Sequence, residues 1–405
     1  MQKVQRATPQ RRFFVRHPLI LWVLLTLAAI VFLALMPYLF PRYGMPELPA
    51  EPNTNNYRSP FYGHGFWAVD GEFYYLQDGF YNMGAYRSTG TTAKRIFRSS
   101  DFSSREGDEW GRLGSIFPCD GLLYLELYAG NRTNFYAYDP AQESYRYLFH
   151  AENVDKWIVH EHYLVYQENI EREGLSKGFE HDALWVHDLD SGERTKIAED
   201  VEQIGLVDGK LLWVSFLGDL LHVDDSTRDN GYRLIYDGEY ALSSYDFSTQ
   251  HVEELGRFPL IFEPDGYYSH YEYISFASSC VVMSTFRAPY DRQLVIYRPG
   301  EDLKVIETPL PIHELIAAGD VAYAFLYDEH RSDVEQGLYR FDLQDGSFRL
   351  VNTSAGLVSW TGPDLYVASD DLVLLVDSHP WLFGSWRTVS LIDPETGRTL
   401  HRYRI

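Results

Sequence analysis

Cysteine is nearly missing from this chain: Cys119 and Cys280 are the two in 405 residues. Two thiols make no disulfide framework, and their apolar settings, IFPCDG and ASSCVVM, suit small buried hydrophobes. Catalytic signatures are missing as well. There is no G-x-S-x-G elbow, no C-x-x-C and no P-loop, and His160-Glu161 and His313-Glu314 lack the second histidine of H-E-x-x-H. The string Gly63-His64-Gly65-Phe66-Trp67-Ala68 mimics a dinucleotide loop but leads into a strand, not a helix. Basic residues are scarce, 35 Lys and Arg against 58 Asp and Glu. Five of the basic residues fall in the first 40 positions, which hold no acid, so the formal charge of −23 becomes −28 over the remainder. That balance repels nucleic acid and anionic lipid, and nucleic acid is excluded as a partner. Sustained helical periodicity is confined to one N-terminal stretch.

Aromatic residues are abundant, at 16% with 31 Tyr and 24 Phe, a composition that suits pleated strands. The segment LYRFDLQDGSFRL from Leu338 shows how they are used: two short apolar runs flank Gln344-Asp345-Gly346, a strong hairpin signal. The phrase recurs with turn-entry residues Arg87, Asp139, Asp188, Asp246, Arg298, Asp342 and Asp393, six intervals averaging 51 residues. A second series of tight turns keeps step at Asp70-Gly71, Asp120-Gly121, Glu161-His162, Asp208-Gly209, Ser278-Ser279, Gly319-Asp320 and Pro363-Asp364. A small meander cannot bury its own faces and must stack on neighbours. The expected fold is therefore all-β, a seven-bladed β-propeller over residues 59–405, with six or eight blades as the neighbouring counts. The last hairpin ends at Tyr403, so the final blade is expected to supply its own outer strand and the ring to close by side-chain packing.

Residues 19–40, LILWVLLTLAAIVFLALMPYLF, carry no charge and are long enough for a transmembrane helix. Lys3, Arg6, Arg11, Arg12 and Arg16 precede them, which predicts a cytoplasmic segment 1–18, an uncleaved signal anchor, and an extracytoplasmic remainder at the plasma membrane. A cleaved signal peptide is the rival, but no cleavage site follows the apolar core. Pro41, Pro46, Pro49 and Pro52 then predict a semi-rigid stalk over residues 41–58.

With strands lettered A to D in each blade, the two turn series join A to B and C to D on one rim. The B-to-C and D-to-A connections lie on the other. The long insertions, 98–113, 168–182, 217–240, 258–271, 327–337 and 370–385, all read onto that second rim, where elaborations of a repeat array usually bind. Their acidic and aromatic side chains mark a ligand or partner face: Asp108, Trp110, Glu171, Asp224, Asp229, Tyr268, Tyr271, Asp328, Glu329 and Trp381. Such a face suits a cationic peptide, a protein, a glycan stacked on rings, or calcium. No catalytic residue, metal ligand or other cofactor is assigned; His160 and His162 read as surface histidines, and Asp224, Ser226 and Asp229 only partly match a calcium loop.

Hairpins of the form Leu-Tyr-Arg-x-Asp-Leu-x-x-Gly, best seen at Leu338 to Gly346, resemble those of the TolB-like and YWTD-type β-propellers. The resemblance implies a propeller over most of residues 60–405 and a binding or scaffolding role outside the cytoplasm. The YWTD tetrad itself is absent, so no ligand is implied. The expected function is a membrane-anchored binding module. The alternative is a propeller-type glycoside hydrolase, or other carbohydrate-active enzyme, using a pair of loop carboxylates.

Overall fold

The computed structural model describes residues 18–35, 47–56 and most of 66–404, apart from the connections 78–83, 91–92, 98–111, 130–131, 172–179, 225–231, 261–270, 272, 286–289, 329, 332, 354–363 and 382–383. Among the described residues, seven four-stranded antiparallel sheets follow one another along the chain, each paired in simple A-B-C-D order. The repeat count expected from the turns is the blade count. The A strands neighbour one another around an axis, blade 7 against blade 1 included.

Asp and Gly recur at the A–B turns because both residues there need the left-handed region. Asp70 and Gly71 have φ of 47° and 73°, and Asp120–Gly121 and Asp208–Gly209 repeat the pattern. The recurring Asp of the C–D turn does different work. Asp139, Asp188, Asp246, Asp342 and Asp393 each accept the amides two and three residues on at Oδ1. In blade 1 Arg87 holds this position and instead grips Glu72 through two guanidinium nitrogens.

Three sequence expectations need correction. Asp364 opens the A strand of blade 7, Asp364–Ser369, and the A–B turn falls at 370–371. Asp370-Asp371 carries no glycine signal, whereas Pro363-Asp364 has turn chemistry. The stretch 370–385 is therefore a turn on the opposite rim plus paired strand, from Val373↔Ile392 to Trp381↔Gly384. Likewise 217–240 is mostly a long ordered hairpin, paired from Leu211↔Tyr245 out to Asp224↔Tyr232. Gly218 and Gly238 face each other there, and a Cβ on either would meet backbone of the partner strand.

Residues 47–56 are part of the propeller, which shortens the expected stalk. Leu48 is buried in the seam between blades 1 and 7, and the Pro49 carbonyl accepts from the Asp70 amide. Asn53, Thr54, Asn55 and Asn56 then lie across the axis. Their side chains bond main-chain groups of Leu206, Phe276, Ala317 and Val367, on the A strands of blades 4 to 7. Upstream, a helix runs over Pro18–Leu35, with Trp22–Ile30 exposed on every side. Eighteen residues at ~1.5 Å rise span ~27 Å, about half a turn short of the ~30 Å hydrocarbon thickness. Among the described residues no helix is long and apolar enough to cross a membrane.

The ring closes without a shared strand, as expected. Phe66 meets Tyr366 at 5.0 Å and Phe73 meets Tyr403 at 5.6 Å. Arg387 lies 5.9 Å from the Tyr75 ring across the same seam. Asn55 makes three bonds, Nδ2 to the Phe276 and Ala317 carbonyls and Oδ1 from the Phe276 amide. Asn55→Ala strands those groups and should cost about 1–3 kcal/mol in chemical denaturation, while Ser248→Ala on an exposed turn should cost far less. Equal midpoints for the two variants would remove the axial segment from the stability of the ring.

Candidate ligand face and the plugged axis

The two rims differ in build. The A–B and C–D rim, the plain rim, consists of short turns. The opposite rim carries the longer connections and the end of the blade 4 hairpin, and it is the candidate ligand face.

Of the residues expected there, Asp108, Trp110, Asp229, Tyr268 and Glu329 lie outside the described residues. Glu171, Asp224 and Trp381 stand at the loop-rim ends of B strands, paired with Glu180, Tyr232 and Gly384. Tyr271 is a correction. It is 2% exposed and packs against Tyr240 at 5.4 Å and Phe258 at 6.2 Å, so its ring belongs to the core between blades 4 and 5. An aromatic just before a strand reads the same in sequence whether its ring turns inward or outward.

Asp328 is on the face, and the structure surrounds it with residues the sequence reading did not single out. Arg292 pairs with it, Nη2 to Oδ2, at 3.0 Å. Asp291, beside Arg292, has its carboxyl held above the usual range by burial, with Asp328 raising it further and Arg292 and His313 opposing. His313 is exposed, and its Nε2 lies 3.1 Å from the Tyr327 carbonyl, a distance that makes this nitrogen the donor. Tyr273 donates to the His313 carbonyl at 2.6 Å. Two acids, a guanidinium and an imidazole from blades 5 and 6 thus share one patch, able to bind a polar ligand or to hold a proton. The sequence signal was the Tyr290-Asp291-Arg292 turn before a C strand, which is too short to register as an insertion.

The axis offers less room. Asn53–Asn56 plug it at the plain-rim ends of the A strands. Nearer the other rim Lys156 reaches from blade 3 to blade 4, donating to the Glu202 carbonyl at 3.2 Å and to Gln203 Oε1. The Glu202 carboxyl is pushed up to about 7 by desolvation, against the pull of Lys156. His160 and His162 are taken up by rings, against Phe247 at 4.9 Å and Tyr163 at 4.1 Å. Among the described residues no three His, Cys, Asp or Glu side chains gather as metal ligands. Burial pushes the thiols of Cys119 and Cys280 up to about 12 and about 11, far from a reactive thiolate.

Two interblade grooves open on the plain rim. A 430 Å³ groove between blades 2 and 3 is lined by Asp120, Tyr124, Arg146, Glu161, His162 and Asp190 among others. A 270 Å³ groove between blades 3 and 4 includes Tyr163, Asp188, Lys196 and Tyr245.

No family model matches the chain, and no curated protein does. Similar solved structures include an oligogalacturonate lyase in complex with manganese, at 13% identity and TM-score 0.44, covering 76% of this chain and 82% of that one. Apo AztD from Citrobacter koseri is 10% identical at TM-score 0.47, with 83% of each chain covered. The uncomplexed acylaminoacyl peptidase of Pyrococcus horikoshii is 11% identical at TM-score 0.43, covering 68% of this chain and 44% of that one. This chain therefore spans less than half of that peptidase. Likenesses this distant bring no activity with them, and the propeller assignment rests on the sheets described above.

Buried acids set a pH dependence, and Glu126 supplies one part of it. Glu126 is fully buried between blades 2 and 3, accepting from Ser115 Oγ at 2.6 Å and Trp157 Nε1 at 3.0 Å. Desolvation pushes its carboxyl up to about 7 despite these donors. A folded value above the ordinary one means that its stability contribution is full below about pH 4.5 and is lost as pH rises to about 7. The loss is about 3 kcal/mol. Glu126→Gln keeps an acceptor for both donors and should remove its share of the fall, leaving that of Glu202, measured as unfolding free energy from pH 4.5 to 8. The same slope in the variant would rule Glu126 out as its source.

Proposed function

We propose that this protein is a membrane-anchored, extracytoplasmic binding or scaffolding module that takes a protein, peptide or glycan on its loop-bearing rim. The observation that carries the reading is the asymmetry of the ring. One rim is reduced to tight turns and plugged on its axis, while the other carries the long connections and the Asp291, Arg292, His313 and Asp328 patch. A plugged axis suits surface recognition better than a deep catalytic pocket.

The anchor is residues 19–40. Its support is the helix over Pro18–Leu35, whose described side chains no part of the propeller covers, with Trp22 71% and Ile30 59% exposed. Such a surface is unfavourable in water and suits lipid. The basic residues before it put the N-terminus in the cytoplasm. A TolB-like relationship, suggested by the Leu338 hairpin, agrees with an extracytoplasmic role.

A carbohydrate-active enzyme is the second reading, favoured by one observation. Burial raises the Asp291 carboxyl, with Asp328 adding to the effect, and a raised carboxyl near a second acid is a feature that glycoside hydrolysis uses.

Full-length protein in phosphatidylcholine vesicles should float with the lipid, and protein lacking residues 1–40 should not. Titrating the floated protein with oligolysine, cello-oligosaccharides, oligogalacturonate and calcium should give saturable binding to at least one probe, weakened at least about tenfold by Asp328→Ala. Release of reducing sugar that Asp291→Asn abolishes would replace the binding reading with the enzymatic one. Absence of saturable binding to every probe would leave a structural spacer.

A further inference from the structure

The path of the chain into the ring fixes which way the disc faces. Leu48 is buried beside blade 1, and the Pro49 carbonyl is tied to the Asp70 amide in the first A–B turn. Asn53 to Asn56 then lie at the plain-rim ends of four A strands. The tether therefore meets the propeller at its plain rim, close to the axis.

Seven Cα steps separate Phe40, the last residue of the proposed anchor, from Glu47, with Pro41 and Pro46 among them. At ~3.1 to 3.6 Å per residue they reach about 22 to 25 Å. To bring the loop rim against the bilayer, the tether would first have to cross a blade, ~14 Å over three interstrand gaps. It would then have to climb an outer strand such as Ser144–Glu152, nine residues or ~30 Å. That path of ~44 Å exceeds the reach before the blade 4 hairpin is cleared. With the plain rim toward the bilayer the tether needs only a fraction of its length.

Building on the anchor proposed above, we infer that the plain rim faces the lipid bilayer and the loop-bearing rim faces away, presented to partners approaching from outside the membrane. The acidic turns at Asp70, Asp120, Glu161, Asp190, Asp208, Asp320, Asp370 and Asp371 keep the plain rim from adsorbing to anionic headgroups. It stands over the membrane and does not dock on it.

The inference is testable on the full chain with Cys119→Ala and Cys280→Ala, in phosphatidylcholine vesicles carrying a headgroup-linked energy acceptor. Donor dyes are placed singly through Gln142→Cys and Thr249→Cys on the plain rim, and through Asp237→Cys and His330→Cys toward the loop rim. All four positions are exposed. Plain-rim donors should show several-fold greater transfer to the lipid acceptor than loop-rim donors in protein that floats. Equal transfer from both rims, or greater transfer from the loop rim, in floating protein overturns the orientation and leaves the anchor standing. Failure of the unlabelled full chain to float removes the anchor, and the orientation falls with it. Replacing residues 41–46 by a Gly/Ser linker of about thirty residues, with the anchor intact, should bring the four transfer values together.

Discussion

A four-stranded antiparallel sheet of mostly apolar residues has two faces to bury, and in this chain each face is buried by the next sheet. Everything else follows from that requirement. It demands repetition, because a single blade is unstable, and it demands closure, because an open row would leave a terminal face in water. Here closure comes without a strand shared between the ends. The Phe66–Tyr366 and Phe73–Tyr403 contacts seal blade 7 to blade 1, with Arg387 beside the Tyr75 ring. Side-chain packing across that seam takes the place of a shared strand.

The axial segment reinforces the closure from the centre. Asn53 and Asn55 share the Ala317 carbonyl of blade 6, and from there Asn55 reaches blade 5 while Asn53 reaches blade 7. Thr54 both donates to the Leu206 carbonyl and accepts from its amide in blade 4. These main-chain groups sit where A strands converge, so no neighbouring strand satisfies them. An asparagine carries donor and acceptor on one short side chain and can complete both kinds of group at once. Polar ties across the seams add register: Trp67 Nε1 to the Ile116 carbonyl, Gln167 Nε2 to the Val201 carbonyl, Ser275 Oγ from the Ala317 amide, and Tyr323 Oη to the Asp370 carbonyl. Apolar faces alone would let blades slide against each other. Each buried bond penalises a slip, since the group would be left without its partner.

The blades were legible because their punctuation is local. A positive φ at Asp70 and Gly71, or an Asx turn at Asp342, is decided by a few adjacent residues and leaves a trace in the sequence. Where the trace was misread, a competing local signal was present. Pro363-Asp364 outweighed the glycine-free Asp370-Asp371, and the charges and glycines of 217–240 disguised a regular hairpin. The axial segment was not legible at all, because proline spacing is the same in a free stalk and in a docked strap. What docks it is main chain from four blades, more than 150 residues away for the nearest bond. The loop-rim patch was hidden for a related reason. Asp291, His313 and Asp328 are separated by ordinary strands, and only the packing of blade 5 on blade 6 brings their charges together.

The same distinction bears on how the chain can be divided. Composition draws the boundary between spacer and domain near residue 58, after the last of the prolines. Hydrogen bonding draws it before Glu47, because Leu48 fills part of the closing seam and Asn53 to Asn56 complete strand ends in blades 4 to 7. A fragment cut at the compositional boundary would lose the bonds that link blades 4, 5, 6 and 7 through the centre, and would lose a core residue at the one junction no covalent connection spans. The segment that follows the Pro18–Leu35 helix in the sequence is thus also the one that braces the ring. The brace lies at the plain rim, while the opposite rim is free of that duty and can vary in length and charge without disturbing closure.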